Sequence, residues 1–350
     1  AAWFVLRHRP VWGASPWLLW PVFLLGLFFA IQRPLTLNPR AEIVAVYQDV
    51  IGSLGKGLNP YDCGCIVHYD EVGAHKYGNF NYPPAEIWPY WLAAKLVGTW
   101  NWIVLAASLC VLQALACVVL WRTFPKARLW SLAAFFPMLV FFELRTNVAQ
   151  TLLVVALLIY VLEQRARAER PWHRPVIWLL FGVGLAAKFL VIPIFAAYIW
   201  HQVDLRRPRQ LPRLAVDVAM PLLVAAALSA PFGVTQVFRE TILFNLFLKT
   251  RASLTTFYPN VLSGPMTWMG VPGVYSSLAV LFLGASVLVA PWLAPLEAML
   301  CSCTVFLLVS PTPEPQYIPV ILYLALAALL ARTSRASQGK AVAPAALPPG

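Results

Sequence analysis

Long apolar runs separated by short polar loops are the feature that most restricts how this chain folds. A helix needs about 20 apolar residues to cross a bilayer, and fewer where neighbouring helices shelter it. The sequence therefore predicts about ten transmembrane helices, over 16–34, 100–121, 128–143, 148–163, 175–187, 189–201, 214–231, 273–291, 293–310 and 317–331. The two runs around Lys188 are short, and one long helix broken at Lys188 and Pro193 is the alternative to two helices. Two helices fit the charges better.

Composition excludes an ordinary soluble domain. Hydrophobic residues make up 60% of the chain and charged residues 11%, against roughly 45–50% and 25% in soluble proteins. The net charge of +12 suits a nucleic-acid binder only if Lys and Arg share one solvated face. Here they lie between apolar runs. We predict an all-α integral membrane protein that has the lipid bilayer and no nucleic acid as a partner.

The basic residues also predict the orientation. Loops on the cytoplasmic side carry an excess of Lys and Arg. Placing the N-terminus inside puts 16 of the 26 basic residues on that side, namely Arg7, Arg9, Arg122, Lys126, Arg128, Arg165, Arg167, Arg170, Arg174, Arg206, Arg207, Arg209, Arg213, Arg332, Arg335 and Lys340. The remaining loops lie on the opposite face, where we expect the functional site. The expected location is a bacterial inner (plasma) membrane, with the site facing the periplasm.

This orientation requires that residues 85–98 do not cross the membrane. The segment is rich in Trp and Tyr, which is typical of a helix lying in the membrane interface. Residues 42–54 predict a second such helix, because their apolar side chains recur at helical spacing. The apolar face contains Ile43, Val46, Tyr47, Val50 and Leu54, and the polar face contains Gln48, Asp49 and Ser53. The first outer loop thus holds two interfacial helices around a polar centre.

The chain reads as one membrane domain, residues 1–335, followed by a low-complexity cytoplasmic tail, 336–350, which we predict to be disordered. Cys63 and Cys65 in the first outer loop are consistent with a strained disulfide or with half of a metal site. No second cysteine pair has zinc-ligand spacing, so we predict no metal centre. We name no cofactor, and the sequence leaves open whether a divalent cation takes part.

Charged residues at membrane depth are costly, which makes Arg145 and Lys188 site candidates. Each also has a structural interpretation, in which Arg145 pairs with Glu143 and Lys188 extends to the headgroups. Glu42 has the alternative role of a first-turn acid stabilised by the helix dipole. Three further basic candidates lie on the predicted outer face, namely Arg239, Lys249 and Arg251. Their alternative role is to bind anionic lipid headgroups.

Several short motifs resemble the GT-C membrane glycosyltransferases, most closely glycosyltransferase family 87, the polyprenyl-phosphate-mannose-dependent mannosyltransferases. In the first outer loop the motifs are Tyr47, Gly57-Leu58-Asn59-Pro60-Tyr61-Asp62 and Asn81-Tyr82-Pro83-Pro84. Later ones are Asn147 with Gln150, Ala187-Lys188, and Ser310-Pro311 through Gln316-Tyr317. The resemblance covers most of residues 40–320.

The resemblance implies an inverting transferase that moves a hexose, mannose in the family, from a polyprenyl-phosphate donor to a lipid or glycan acceptor. The family usually has a base Asp four residues before the position of Tyr47, where this chain has Ile43. We therefore expect Glu42, one residue away, to be the catalytic base and Asp49 to be the reserve. Donor phosphate and substrate would be bound by Arg145, Asn147, Gln150, Lys188, Arg239, Lys249, Arg251, Gln316 and Tyr317. The loop would be positioned by Tyr61, Asp62, Tyr82, Pro83 and Pro84.

Two other functions remain open at this stage. A transporter or flippase for a lipid-linked sugar would place polar residues near the middle of the membrane and commonly shows internal repeats. This sequence has no evident repeat, and its charges crowd one face. A non-catalytic relative that binds polyprenyl phosphate would not need an acidic residue at position 42.

Overall fold

A computed structural model describes residues 42–69, 75–124, 148–203, 211–243, 275–309 and 317–341. Most of these residues are helical, and the strands form one short hairpin. The prediction of a helical chain is therefore correct for the bulk of the described residues. The hairpin is a departure from the all-α prediction. The predicted spans 16–34 and 128–143 lie outside the described residues.

The helices are α1 (Glu42–Gly55), α2 (Ile87–Val97), α3 (Trp102–Thr123), α4 (Ala149–Arg167), α5 (His173–Leu185), α6 (Val191–His201), α7 (Leu211–Ser229), α8 (Val234–Phe238), α9 (Tyr275–Leu288), α10 (Pro295–Val309) and α11 (Ile318–Ala341). Strands β1 (Ile66–Tyr69) and β2 (His75–Gly78) pair antiparallel. Single 3-10 turns cover Pro84–Glu86, Ala230–Phe232 and Ala290–Trp292, and a π-helical turn covers Arg239–Leu243.

In the described part of the chain, three helical stretches are long and apolar enough to cross a membrane. They are Ile103–Thr123, Ala149–Arg167 and Leu211–Phe232. Shorter apolar helices fall on the other predicted spans, at His173–Leu185, Val191–His201, Leu278–Trp292, Pro295–Val309 and Val320–Arg332. Membrane character follows from the three long helices, while the total of about ten spans stays a prediction.

The chain around Lys188 forms two antiparallel helices, so the alternative of one broken helix is wrong. The ring of Phe181 in α5 lies 5.0 Å from the ring of Phe195 and 4.9 Å from the ring of Tyr198, both in α6. These contacts require the chain to reverse direction between the two helices. Lys188 lies in the reversal, which places it at one end of the helix pair.

Arginine contacts hold together one end of the helical bundle. The Arg167 guanidinium donates to the carbonyl oxygen of Thr123 at 3.0 Å, which joins α4 to α3. The Arg174 guanidinium lies 2.8 Å from the Asp217 carboxylate, which also accepts a hydrogen bond from the Trp178 indole at 2.7 Å. These contacts bring together the end of α3, the connection between α4 and α5, and the start of α7, which border three of the five segments that we predicted to be cytoplasmic.

The region from α1 to α2 has its own aromatic core. Tyr47, Tyr61, Phe80 and Tyr90 are completely buried. The ring of Tyr47 contacts the ring of Tyr90 edge-on, with centroids 4.7 Å apart. Four large aromatic side chains give this short region enough apolar area to form a stable cluster in place of a disordered loop.

Hydrogen bonds attach this aromatic core to the chain that follows α7. The Asn59 amide donates to the carbonyl oxygen of Phe232 at 2.8 Å. The Gln236 amide donates to the carbonyl oxygen of Tyr61 at 2.7 Å and to the Asp62 carboxylate at 3.2 Å. The first-loop motif at residues 59–62 is therefore fixed by residues more than 170 positions later.

Both predicted short helices of the first loop are present. Helix α2 has 11 residues, which is about 17 Å of helix and too short to cross a bilayer. It ends at Gly98, whose φ of 79° is left-handed. In α1, Val46, Tyr47 and Val50 are buried as expected. Ser53 was expected on the polar face but is buried, because its hydroxyl donates to a backbone carbonyl one turn earlier.

Cys63 and Cys65 form a disulfide, which decides between the two interpretations of the pair. Gly64 between them has a φ of 58°, a left-handed conformation that glycine adopts without strain. Among the residues that the structure describes, no group of three or more His, Cys, Asp or Glu is placed to hold a metal ion.

Helix α11 runs further than we predicted. It continues to Ala341, so residues 336–341 at the start of the predicted disordered tail are helical. Residues 333–341 include Thr, Ser and Gly, which are weak helix formers, so local propensity does not explain this extension. Residues 342–350 lie outside the described residues.

Close packing of α5 on α7 gives a first testable prediction. A Cβ added at Gly182 would overlap Cβ of Val224 and would lie 2.8 Å from the carbonyl oxygen of Pro221. We expect Gly182→Ala to lower stability by about 1–3 kcal/mol, as overpacking does. Gly284→Ala is the matched control, because nothing lies within 4 Å of a Cβ there. Thermal unfolding in detergent should show a loss in the first variant only, and equal melting temperatures would contradict the close approach.

Candidate functional site

Glu86 is the centre of the candidate site. It ends the 3-10 turn Pro84–Glu86 that leads into α2, and it is completely buried. Pro83 is extended at φ −62° and ψ 151°, and Pro84 opens the turn, where its missing N–H is no loss. The Tyr82-Pro83-Pro84 motif thus fixes where the chain turns and delivers the Glu86 side chain inward.

Lys188 is the ionic partner of Glu86. Its Nζ lies 2.8 Å from Oε1 of Glu86, and the two side chains are 5% and 1% exposed. The ammonium also lies over the ring of Tyr82, 5.0 Å from the centroid, in the range where a cation is attracted to an aromatic face.

Tyr47 binds the other oxygen of the same carboxylate. Its hydroxyl donates to Oε2 of Glu86 at 2.7 Å. Burial raises the pKa of the Tyr47 phenol well above its usual range, and the neighbouring Glu86 charge raises it further. Tyr47 therefore stays a neutral hydrogen-bond donor at any physiological pH.

Backbone contacts hold the two charged residues in register. The amide of Ala85 donates to the carbonyl oxygen of Ala186 at 2.8 Å, so the residue before Glu86 is joined to the residue two positions before Lys188. Gln150, in the first turn of α4, donates from its side-chain amide to the carbonyl oxygen of Glu86 at 3.0 Å. Three separate helical elements therefore fix the position of one carboxylate.

Tyr61 contacts the loop that leads to Glu86. Its hydroxyl donates to the carbonyl oxygen of Tyr82 at 2.7 Å, and its ring packs 5.4 Å from the ring of Phe80. Asp62 is exposed at the edge of the same loop. Tyr61 and Tyr82 therefore hold the loop in place, which agrees with the positioning role suggested by the sequence.

The energetics of this cluster make it a candidate for function. Replacing a buried ion pair by apolar residues of similar size is often neutral or stabilising. A buried Glu–Lys pair is therefore weak evidence for a stability role, and charged groups buried together are enriched at functional sites. The alternative is that the pair fixes a specific docking of the first loop on the helices.

The other predicted site residues lie apart from the cluster or outside the described residues. Glu42 is the first residue of α1. The Asp49 carboxylate accepts a hydrogen bond from the amide of Val67 at 2.9 Å and so ties α1 to the hairpin. Arg239 pairs with the adjacent Glu240. Tyr317 packs against the main helical core. Those outside the described residues are Arg145, Asn147, Lys249, Arg251 and Gln316.

Glu86 is the residue that the sequence interpretation missed, because it lies outside the motifs that carry the resemblance. A signal was available. It lies directly after Tyr82-Pro83-Pro84 in an otherwise apolar segment, and an acid in such surroundings needs a cationic partner. Lys188 had been identified by the same argument, and the two residues satisfy each other.

No protein-family model, no curated protein and no solved structure matches this chain.

The buried pair makes a quantitative prediction for stability. Glu86→Leu or Lys188→Leu leaves one uncompensated buried charge, and we expect each to cost about 3–5 kcal/mol. The double variant should lose much less than the sum, because no charge remains unpaired. The control is the same cycle on Arg165 and Glu169, a partly exposed i,i+4 pair, where coupling below about 0.5 kcal/mol is expected. Unfolding free energies in detergent measure both cycles, and additive losses at the buried pair would refute its coupling.

Proposed function

We propose that this chain is a GT-C-type membrane glycosyltransferase that uses a polyprenyl-phosphate sugar as its donor. One observation carries the proposal. Sequence landmarks that lie far apart in the chain, Tyr47, the Tyr82-Pro83-Pro84 motif, Gln150 and Lys188, meet around Glu86. The resemblance of the sequence to glycosyltransferase family 87 rests on these same landmarks, so their convergence supports it.

In this proposal Lys188 holds the donor phosphate. The acceptor hydroxyl gives its proton to a carboxylate while its oxygen attacks the anomeric carbon of a hexose, proposed to be mannose. The bond from that carbon to the phosphate oxygen breaks, and polyprenyl phosphate leaves with the electron pair. Attack from the side opposite the phosphate inverts the anomeric centre, and a cation near the departing oxygen stabilises the charge that develops there.

In this proposal the base is a residue other than Glu86. In an inverting displacement the base and the leaving phosphate lie on opposite sides of the reacting carbon. Glu86 is 2.8 Å from Lys188 and is therefore on the phosphate side. Glu42 lies five residues before Tyr47 on α1, about 7.5 Å along the helix axis. The proposed base is therefore separated from Tyr47 of the Lys188 cluster along the helix axis.

The proposed setting is a bacterial inner membrane crossed by about ten helices, with the Glu86 cluster facing the periplasm. The arginine contacts at Arg167 and Arg174 support this orientation, because they lie at the end of the helices that carries the basic loops. Lys188 and Glu86 lie at the opposite end, where the helix pair α5 and α6 reverses. The acceptor is proposed to be a lipid or a glycan that is reached from that face.

A non-catalytic polyprenyl-phosphate-binding protein is the second candidate. Two observations favour it: Ile43 stands where the family has its base Asp, and the reserve acid Asp49 is engaged with the backbone of Val67. Such a protein would keep Lys188 and its phosphate contact but would not need Glu42. Glu42 therefore separates the two candidates.

The test of catalysis is the release of polyprenyl phosphate from a labelled polyprenyl-phosphate mannose by purified protein in lipid. We expect Glu42→Gln to lower turnover by about 10²–10⁴-fold, the usual effect of removing a positioned base, while donor binding persists. Glutamine keeps the size and hydrogen bonding of the side chain but not its basicity.

Asp49→Asn is the parallel control on the same helix. We expect it to keep most of the turnover, because the asparagine oxygen still accepts from the amide of Val67. Turnover by Glu42→Gln within about threefold of the wild type would remove Glu42 as the base, since such a change is far below the loss expected for one. Donor binding without turnover in the wild type would favour the non-catalytic candidate.

Orientation has a separate test. A single reactive cysteine at Tyr77, which is 70% exposed in β2, should react in intact cells with a membrane-impermeant maleimide. A cysteine at exposed Glu169 should react only after the cells are permeabilised. The reverse pattern would place residues 165–174 outside and would require a different topology.

A further inference from the structure

Lys188 raises a problem that the phosphate-binding role alone does not solve. Its side chain is 5% exposed, so water does little to stabilise its charge. A buried amine without a counter-ion tends to lose its proton, because burial disfavours the charged form. A neutral amine would attract phosphate poorly, so something must keep this amine charged before the ligand arrives.

The described elements around Lys188 supply one charge of the required sign. The titratable neighbours are Tyr47 from α1, Tyr61 and Tyr82 from the loop, and Tyr90 from α2. Burial raises the pKa of Tyr47, Tyr61 and Tyr90, and the Glu86 charge raises it further, so these phenols stay neutral.

Two further helices contribute uncharged groups. Helix α4 contributes the Gln150 amide. Helix α7 contributes Ala225 and Leu228, which pack against Ala186 and Ala187. Glu86 is thus the anion that these described elements place beside Lys188, at 2.8 Å.

We propose that Glu86 is a positioning residue that keeps Lys188 protonated and fixed in place, so that the amine still carries its positive charge when no phosphate is bound. The inference rests on the proposed function for the identity of the anion that Lys188 receives. Glu86 does not itself touch the reacting atoms. Its second oxygen is fixed by Tyr47 and its main chain by Gln150, so the carboxylate cannot swing away easily from Lys188.

The variants Glu86→Gln, Lys188→Arg and the combination of both test the proposal. Glutamine keeps the shape and the hydrogen bonding to Tyr47 but removes the charge. Arginine at position 188 stays protonated without help, because its pKa is above about 12. Glu240→Gln is the matched control, since Glu240 pairs with an exposed arginine away from the cluster.

The probe is farnesyl phosphate in detergent micelles, with uncharged farnesol as the negative control. Affinity is measured between about pH 7.5 and 9.5, where a phosphate monoester keeps nearly constant charge because its second pKa is about 6. We expect wild type and Glu240→Gln to bind with little change over this range. Glu86→Gln should lose about tenfold or more in affinity as the pH rises, because binding then requires uptake of a proton.

Rescue decides between a charge role and a merely structural one. The double variant with Lys188→Arg should regain an affinity that does not change with pH, because the guanidinium needs no neighbouring carboxylate to stay charged. A pH-independent affinity of Glu86→Gln, or a pH dependence that survives Lys188→Arg, would overturn the proposal. A merely structural role predicts weak binding at every pH with no rescue.

A second measurement without ligand separates this inference from the proposed function. In Glu86→Gln the folded protein should hold Lys188 neutral, while the unfolded chain binds the proton up to about pH 10.4. The unfolded state then binds more protons, so stability rises with pH, and the gap in melting temperature to the wild type should narrow from about pH 7.5 to 9.5. The double variant should show no such narrowing.

The affinity measurement and the melting-temperature measurement test different statements. If the wild type does not bind farnesyl phosphate but the melting-temperature gap narrows, Lys188 does not bind phosphate, while the inference that Glu86 keeps Lys188 charged is supported. If the gap is constant with pH, the role of Glu86 falls whether or not phosphate binds.

Discussion

The contact between Glu86 and Lys188 is the constraint on which the rest of the described structure depends. It joins the turn at the start of α2 to the chain reversal between α5 and α6. The backbone hydrogen bond from Ala85 to Ala186 lies beside it. Two charges buried together must meet at bonding distance or the fold loses several kcal/mol. The position of the first loop on the helices is therefore specified by electrostatics as well as by apolar packing.

The helices could be predicted from the sequence because apolar runs have few alternatives. Within the described residues, each predicted span coincides with a helix, and the two short helices of the first loop follow from helical spacing and aromatic content. The hairpin could not be predicted in the same way. It is short and polar, and it depends on a distant acid, Asp49, which accepts from the amide of Val67. A local pattern does not contain such a tertiary contact.

The residues of the candidate site also differ in how far the sequence alone could predict them. Lys188 was predicted because a cation in apolar surroundings is conspicuous in any sequence. Glu86 was missed because its role depends on a partner about a hundred residues away. Asp49 was predicted as the reserve base from its position on α1, and the structure adds that its carboxylate accepts a hydrogen bond from the amide of Val67. Roles that depend on one residue alone were readable from the sequence, while roles that depend on pairs were not.

The disulfide between Cys63 and Cys65 has a consequence for where the chain matures. Thiols in the cytoplasm are held reduced by thioredoxin and glutathione, whereas a bridge persists in an oxidising compartment such as the periplasm. The bridge encloses a single glycine and follows the Asn59 to Asp62 motif directly. In the proposed orientation it closes only after this segment has been translocated. Redox chemistry on the far side of the membrane then becomes a late step in the maturation of the loop, after insertion of the helices that carry it.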